Sequence, residues 1–148
     1  MKELSPTFFK IISTDYLAQN FFVMIFAGWV IYAIDLVFAG RATFFLAIFA
    51  AILTPLGLLT FLWRYRLITS TFESGAEING EITKIDTIAK DYLIHYEYNF
   101  KGQKYKYLNR VKKNTYAQTL KQNQPVNLLA REKTPHIAFI KEIYLEDI

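Results

Sequence analysis

The feature that most constrains this chain is a long segment almost free of charge. Residues 16–63 carry two charged side chains, Asp35 and Arg41, although the whole chain has 17 basic and 13 acidic residues. Two apolar stretches, 21–39 and 43–63, are each close to the roughly 20 residues with which a helix crosses a hydrocarbon core. Because backbone amides in lipid must find partners within their own segment, both stretches are expected to be helices. Three residues separate them, so 16–63 is predicted to be a transmembrane helical hairpin.

Asp35 needs an explanation, because a carboxylate deep in the bilayer costs about 2.5–3.5 kcal/mol. If the first helix begins near Leu17, Asp35 lies at headgroup depth and pairs with Arg41 in the turn. The alternative is that Asp35 lines a small oligomeric pore or contributes to an ion relay. The segment holds no second acidic residue for such a relay, which favours the interfacial position.

Basic residues that flank the apolar segment predict its orientation. Lys2 and Lys10 precede it, Arg64 and Arg66 follow it, and Arg41 stands in the turn. Lysine and arginine favour the cytoplasmic side of a membrane. The majority outside the turn therefore predicts that both termini are cytoplasmic.

The first 15 residues form a cytoplasmic or interfacial segment in this interpretation. Ser5 and Pro6 resemble a helix cap followed by proline at the first helical position, and apolar residues come next. The sequence leaves two possibilities open, a short interfacial helix or the start of the first span.

From residue 64 onward the hydrophobic pattern changes its period. A linker is predicted over 64–75, where serine and threonine dilute the hydrophobicity, and a soluble β-region over 76–148. Apolar and polar residues alternate in short runs bounded by Gly, Pro and Asn, as in half-buried antiparallel strands. These runs lie at 78–82, 92–100, 104–107, 126–130 and 137–139, and Asn114 can cap a short helix over 116–121.

The predicted fold class is therefore membrane-anchored α+β. A two-helix transmembrane hairpin is followed by a small antiparallel sheet, or a partly open barrel, of about five strands with one short helix. Aromatic usage agrees with this division, because ten of the 13 phenylalanines lie in 1–63 and eight of the 10 tyrosines in 64–148. Tyrosine suits a sheet in which the ring is buried and the hydroxyl reaches a polar partner.

Spaced residues in the β-region resemble domain-of-unknown-function family 3592 over about 75–141. They are Gly80-x-Ile82, Ile94-x-Tyr96-x-Tyr98-x-Phe100-x-Gly102-x-x-Tyr105, Pro125-Val126-x-Leu128 and Pro135-x-x-Ala138-Phe139. The chain departs from the family pattern at 122–124, where a glycine is usual, and at 130–132, where a tyrosine-aspartate-proline turn is usual. The resemblance implies a small bacterial membrane protein with one or two spans and a compact β-domain, hence a bacterial inner membrane location. It implies no activity.

Residues that could carry chemistry are sparse. The chain has no cysteine, which excludes disulfides, thiolate metal sites and cysteine nucleophiles. Its two histidines, His95 and His136, fall on the polar face of a predicted strand and at a turn. No phosphate-binding loop, nucleophile elbow or zinc-protease motif is present. We therefore expect no catalytic residues, no metal, no cofactor and no enzyme activity.

One concentrated feature is basic. Six cations fall within 13 residues and are interleaved with Tyr105 and Tyr107; this basic run consists of Lys101, Lys104, Lys106, Arg110, Lys112 and Lys113. Lysines can protect the edge of a sheet from unwanted pairing. They can also attract anionic lipid headgroups. Stacking of single-stranded nucleic acid on the tyrosines is the third possibility, although nucleic acid is an improbable partner at a net charge of +4.

Three functions remain open from the sequence. The first is a non-enzymatic interaction or assembly module, in which the β-region binds membrane lipid or another protein, including a second copy of itself. The second is a pore or transport accessory subunit that uses Asp35. The third is a membrane enzyme with an unrecognised site. The position of Asp35 separates the first two, because a carboxylate at the interface favours the module.

Overall fold

The structure is a computed structural model that describes residues 5–39 and 43–145. Three helices come first: α1 (Phe8–Thr14), α2 (Tyr16–Ala39) and α3 (Phe44–Ser74). Strands and short helices follow in the order β1 (Ala76–Ile88), β2 (Asp91–Phe100), β3 (Gln103–Lys112), α4 (Thr115–Thr119), β4 (Pro125–Ala130), β5 (Ala138–Ile140) and α5 (Lys141–Leu145). The chain divides into two compact units, the apolar hairpin of residues 17–65 and the β-domain of residues 1–16 and 66–148.

The apolar hairpin brings α2 and α3 together through small residues. A Cβ on Gly28 would lie 2.7 Å from Ala50 Cα, so this close approach of the two backbones requires glycine. Next to it, Trp29 Nε1 donates to Thr54 Oγ1 at 2.8 Å, and the Thr54 hydroxyl bonds to the carbonyl of Ala50 at 2.9 Å. Both helices are long and apolar enough to cross a membrane, and 6% and 17% of their most apolar windows are buried. Core helices of soluble proteins are mostly buried.

The β-domain contains one antiparallel sheet of five strands in the order β3-β2-β1-β4-β5. The sheet curls until it is nearly closed, and the Tyr96 and Tyr98 hydroxyls donate to the carbonyls of Ala138 and Pro135, each at 2.6 Å. Gly80 of β1 lies against the side chain of Leu128 on the neighbouring strand β4, and an added Cβ would clash with it. The predicted α+β fold is confirmed, including a short helix capped by Asn114, whose side chain accepts from the Ala117 amide at 2.7 Å.

Helices from both ends of the chain complete the core of the β-domain. Ile11 of α1, Ile68 and Phe72 of α3, and Tyr144 of α5 are all at most 1% exposed. The Phe72 and Tyr144 ring centroids are 5.5 Å apart, and Phe139 of β5 packs on Tyr144 at 5.7 Å. The buried face of the sheet therefore depends on residues that lie outside 76–148.

Helix α3 continues through the predicted linker over 64–75 as far as Ser74. Its serines and threonines do not break the helix, since their hydroxyls bond to carbonyls one turn earlier. The Thr71 hydroxyl bonds to the Leu67 carbonyl at 2.7 Å, and the Ser74 hydroxyl to the Ser70 carbonyl at 2.8 Å. Burial of Leu67 and Phe72 makes this stretch one wall of the β-domain.

The N-terminal segment is a separate helix and not the start of the first apolar helix. Its cap is Thr7, whose side chain accepts from the Lys10 amide at 3.3 Å, so the predicted cap at Ser5 is wrong by two residues. Asp15 adopts an extended conformation and ends α1 before α2 begins at Tyr16. An isolated antiparallel bridge joins Asp15 to Val111 of β3. The helix is thus part of the β-domain.

Candidate interaction surface

The basic run occupies a tight hairpin formed by β2 and β3. The two turn residues, Lys101 and Gly102, have φ angles of 50° and 81°, as the favoured two-residue hairpin turns require. The register is regular from Phe100↔Gln103 to Asp91↔Lys112. Because side chains alternate along a strand, Lys104 and Lys106 lie on the face opposite Tyr105 and Tyr107.

Three cations of the run lie in the open near the turn. The side chains of Lys101, Lys104 and Lys106 are 69%, 57% and 80% exposed. Lys104 Nζ lies 2.6 Å from Glu97, Lys106 Nζ 4.0 Å from the same carboxylate, and Lys101 Nζ 3.9 Å from Glu132. Ion pairs this exposed contribute little to stability. These three side chains can therefore exchange their partners for an external anion at little cost.

Arg110 and Lys112 are held by the fold. Both bind Asp91, whose side chain is 5% exposed, at 2.8 Å and 3.2 Å. The Arg110 guanidinium also stacks 3.5 Å from the centroid of the Tyr16 ring, and Lys112 Nζ lies 5.5 Å from it. A buried carboxylate loses its hydration and needs such partners, so these two cations are engaged at the Asp91 site. The basic run thus divides into an exposed group and a structural group.

Lys113 follows the strand and belongs to neither group. Its side chain is exposed, and its Nζ lies 5.2 Å from the centroid of the Tyr92 ring. The sequence predicted six equivalent charges. The structure brings three of them together at the turn and directs Arg110 and Lys112 to Asp91.

A ladder of tyrosines covers the opposite face of the hairpin. Tyr98 stacks on Tyr105 with centroids 5.8 Å apart, and Tyr96 lies 5.9 Å from Tyr107. Tyr96 and Tyr98 are buried, whereas Tyr105 and Tyr107 are half-buried. Burial, with smaller contributions from Tyr107 and Tyr105, raises the pKa of Tyr98, so its hydroxyl stays protonated and continues to donate its hydrogen bond. The ladder therefore ends in two partly accessible rings on β3.

A buried hydrogen-bond network at the other end of β3 was not predicted from the sequence. The Tyr144 hydroxyl donates to Asp15 Oδ2 at 2.8 Å and accepts from Asn109 Nδ2 at 3.1 Å. All three residues are at most 2% exposed. The loss of a hydrogen bond between buried groups is costly. These hydrogen bonds connect the N-terminal segment to β3 and α5.

The other polar residues selected from the sequence have modest surroundings. His95 lies on the polar face of β2, with Nε2 3.4 Å from Asp86 Oδ2. A hydrogen bond from Lys84 lowers the pKa of Asp86, and burial opposes this shift. In the part of the chain that the structure describes, no group of three or more His, Asp and Glu side chains could hold a metal ion.

Asp35 belongs to the apolar hairpin and lies near the C-terminal end of α2. Its Oδ2 accepts a hydrogen bond from the Thr43 hydroxyl at 2.5 Å, and the residue is half-buried. Its predicted partner Arg41 lies outside the described residues. A carboxylate satisfied across the turn of a hairpin fits the interfacial position better than a pore lining.

The chain was compared with known proteins at three levels. No family model, no curated protein and no solved structure matches it.

Proposed function

We propose that the chain is a non-enzymatic integral membrane protein of the bacterial inner membrane that presents its β-domain to the cytoplasm for interaction. The observation that carries this proposal is the exposed group of the basic run, Lys101, Lys104 and Lys106, on an edge strand of the sheet. Exposed lysines attract anionic groups such as lipid headgroups, and the partly accessible rings of Tyr105 and Tyr107 lie on the other face of the same strand.

The β-domain is built from two separate stretches of the chain, and this supports a two-span anchor. Residues 1–16 and 66–148 belong to one compact unit, although the apolar hairpin separates them in sequence. A folded unit lies on one side of a membrane, so the hairpin must cross and return. The flanking cations then favour the cytoplasmic side.

Reporter fusions test this orientation. We expect fusions at both termini to report a cytoplasmic location and an insertion at Arg41 to report the external side, because four flanking cations oppose one. A reporter that is active at the cytoplasmic side only, and one active at the external side only, should be placed at each position. Opposite locations for the two termini would contradict both the hairpin and the shared β-domain.

Vesicle binding tests the basic surface. We expect the full chain in neutral-lipid nanodiscs to sediment with anionic vesicles at low salt and not with neutral vesicles. Replacing Lys101, Lys104 and Lys106 by Gln should weaken this binding by about 2–3 kcal/mol, at about 1 kcal/mol for each near-surface lysine. Raised salt should weaken it further as the Debye length falls below about 10 Å.

The matched control is the replacement of Lys90, Lys121 and Lys133 by Gln, which removes the same charge from exposed positions outside the basic run. Equal losses in the two variants would mean that net charge alone governs the binding. No binding by the wild-type chain would remove lipid from the proposed partners.

A further inference from the structure

Strand β3 is an edge of the sheet, and alternate residues of this strand form backbone hydrogen bonds with β2. The Lys113 amide donates to the Lys90 carbonyl at 3.2 Å, beyond the last register pair of β2 and β3. Antiparallel pairs alternate between bonded and non-bonded, so odd-numbered β3 residues bond to β2. The even-numbered residues, among them Lys104, Lys106 and Leu108, direct their N–H and C=O groups away from the sheet.

Only one end of this edge is covered among the described residues. Asp15 bridges to Val111, which occupies the edge beside Arg110 and Lys112. No backbone hydrogen bond from a described residue outside the sheet reaches Lys104, Lys106 or Leu108. An open edge of this kind is a template for an additional strand.

The side chains along the open edge define what would pair with it. A strand added to β3 would place every second residue beside Lys104 and Lys106, where acidic side chains are favoured. The residues between them would lie beside the half-buried rings of Tyr105 and Tyr107, where apolar or aromatic side chains are favoured. A second copy of β3 would bring lysines against lysines, which is unfavourable.

We propose that the edge of β3 from Lys104 to Leu108 binds an extended segment of another protein, in which acidic and apolar residues alternate, as a sixth strand of the sheet. This inference deepens the proposed function and rests on the same surface. Backbone hydrogen bonds supply affinity, while the lysines and tyrosines select the partner by charge and by face.

A synthetic peptide tests the inference with the full chain in neutral-lipid nanodiscs. The probe is a short fluorescent peptide in which glutamate alternates with valine and tyrosine. We expect saturable binding by fluorescence anisotropy. N-methylation of its consecutive central amides should weaken binding at least about tenfold, because it removes the donors that strand addition needs.

The substitution Leu108→Pro tests the backbone hydrogen bonds of the edge independently of its lysine charges. Proline is tolerated on an edge strand where the N–H faces outward, and Leu108 is 44% exposed. We expect Leu108→Pro to weaken peptide binding at least about tenfold and Leu108→Ala to leave it nearly unchanged. Replacing both Lys104 and Lys106 by Gln should weaken binding several-fold and reduce its dependence on salt.

The outcomes distinguish this inference from the broader proposal. Equal binding of the methylated and unmodified peptides to the wild-type chain, or no peptide binding, overturns strand addition even if Leu108→Pro fails to fold. Binding to anionic vesicles, measured on the same samples, reports on the basic surface and should be unchanged by Leu108→Pro. Pairing of two copies through β3, seen as a dimer that Leu108→Pro abolishes, would also overturn the inference.

Discussion

Replacing Phe72 by alanine is expected to lower the free energy of unfolding of the β-domain by about 3–5 kcal/mol. Phe72 is 1% exposed, and its ring packs 5.5 Å from that of Tyr144, so the shorter side chain leaves a cavity in the core. Small domains are stable by only about 5–15 kcal/mol. The substitution should therefore remove a large part of the total.

The measurement is denaturant unfolding of the full chain in micelles, followed by tyrosine near-ultraviolet circular dichroism. Glu73→Ala is the matched control, because Glu73 is the exposed neighbour on the same helix and should change stability by less than about 0.5 kcal/mol. Equal stability of the two variants would mean that the end of α3 does not contribute to the core of the β-domain.

Loss of the Tyr144 hydroxyl is the second large effect. Tyr144→Phe is expected to lower the free energy of unfolding by about 1–3 kcal/mol, because it removes buried hydrogen bonds to Asp15 and Asn109. Tyr105→Phe is the control, since that hydroxyl bonds to Gln103 in an exposed position. Its loss should cost less than about 0.5 kcal/mol.

A double-mutant cycle with Asp15→Ala tests whether the bond itself is responsible. We expect the two substitutions together to cost about 1–2 kcal/mol less than the sum of the single costs, because each alone already removes the bond. Strict additivity would show that Tyr144 stabilises the β-domain through its ring and not through Asp15.

Most of the sheet was predictable because its period-two alternation is strong. Residues 92–100 alternate over the whole length of β2, and Lys101-Gly102 mark the turn. The end of α3 was not predictable from hydrophobicity. Thr69, Ser70 and Thr71 resemble a linker until their hydroxyls are seen bonding to helix carbonyls.

The candidate site was predictable in composition but not in geometry. The sequence located the six cations, yet it contained no sign that Asp91 would engage Arg110 and Lys112 and leave Lys101, Lys104 and Lys106 exposed. Asp91 stands next to a turn, where carboxylates are usually solvated. The role of Asp15 was equally hidden, because its partners lie far away in sequence.

The separation of Asp15 and Tyr144 by 129 positions has a consequence for biogenesis. A ribosome that adds about 5–20 residues per second makes α1 on the order of ten seconds before α5 exists. The apolar hairpin is synthesised within that interval, so the N-terminal helix must wait for the rest of its domain. If the hairpin spans the membrane as proposed, completion of the β-domain depends on prior insertion, because α1 and β3 then meet only when the chain has returned to the side from which it started.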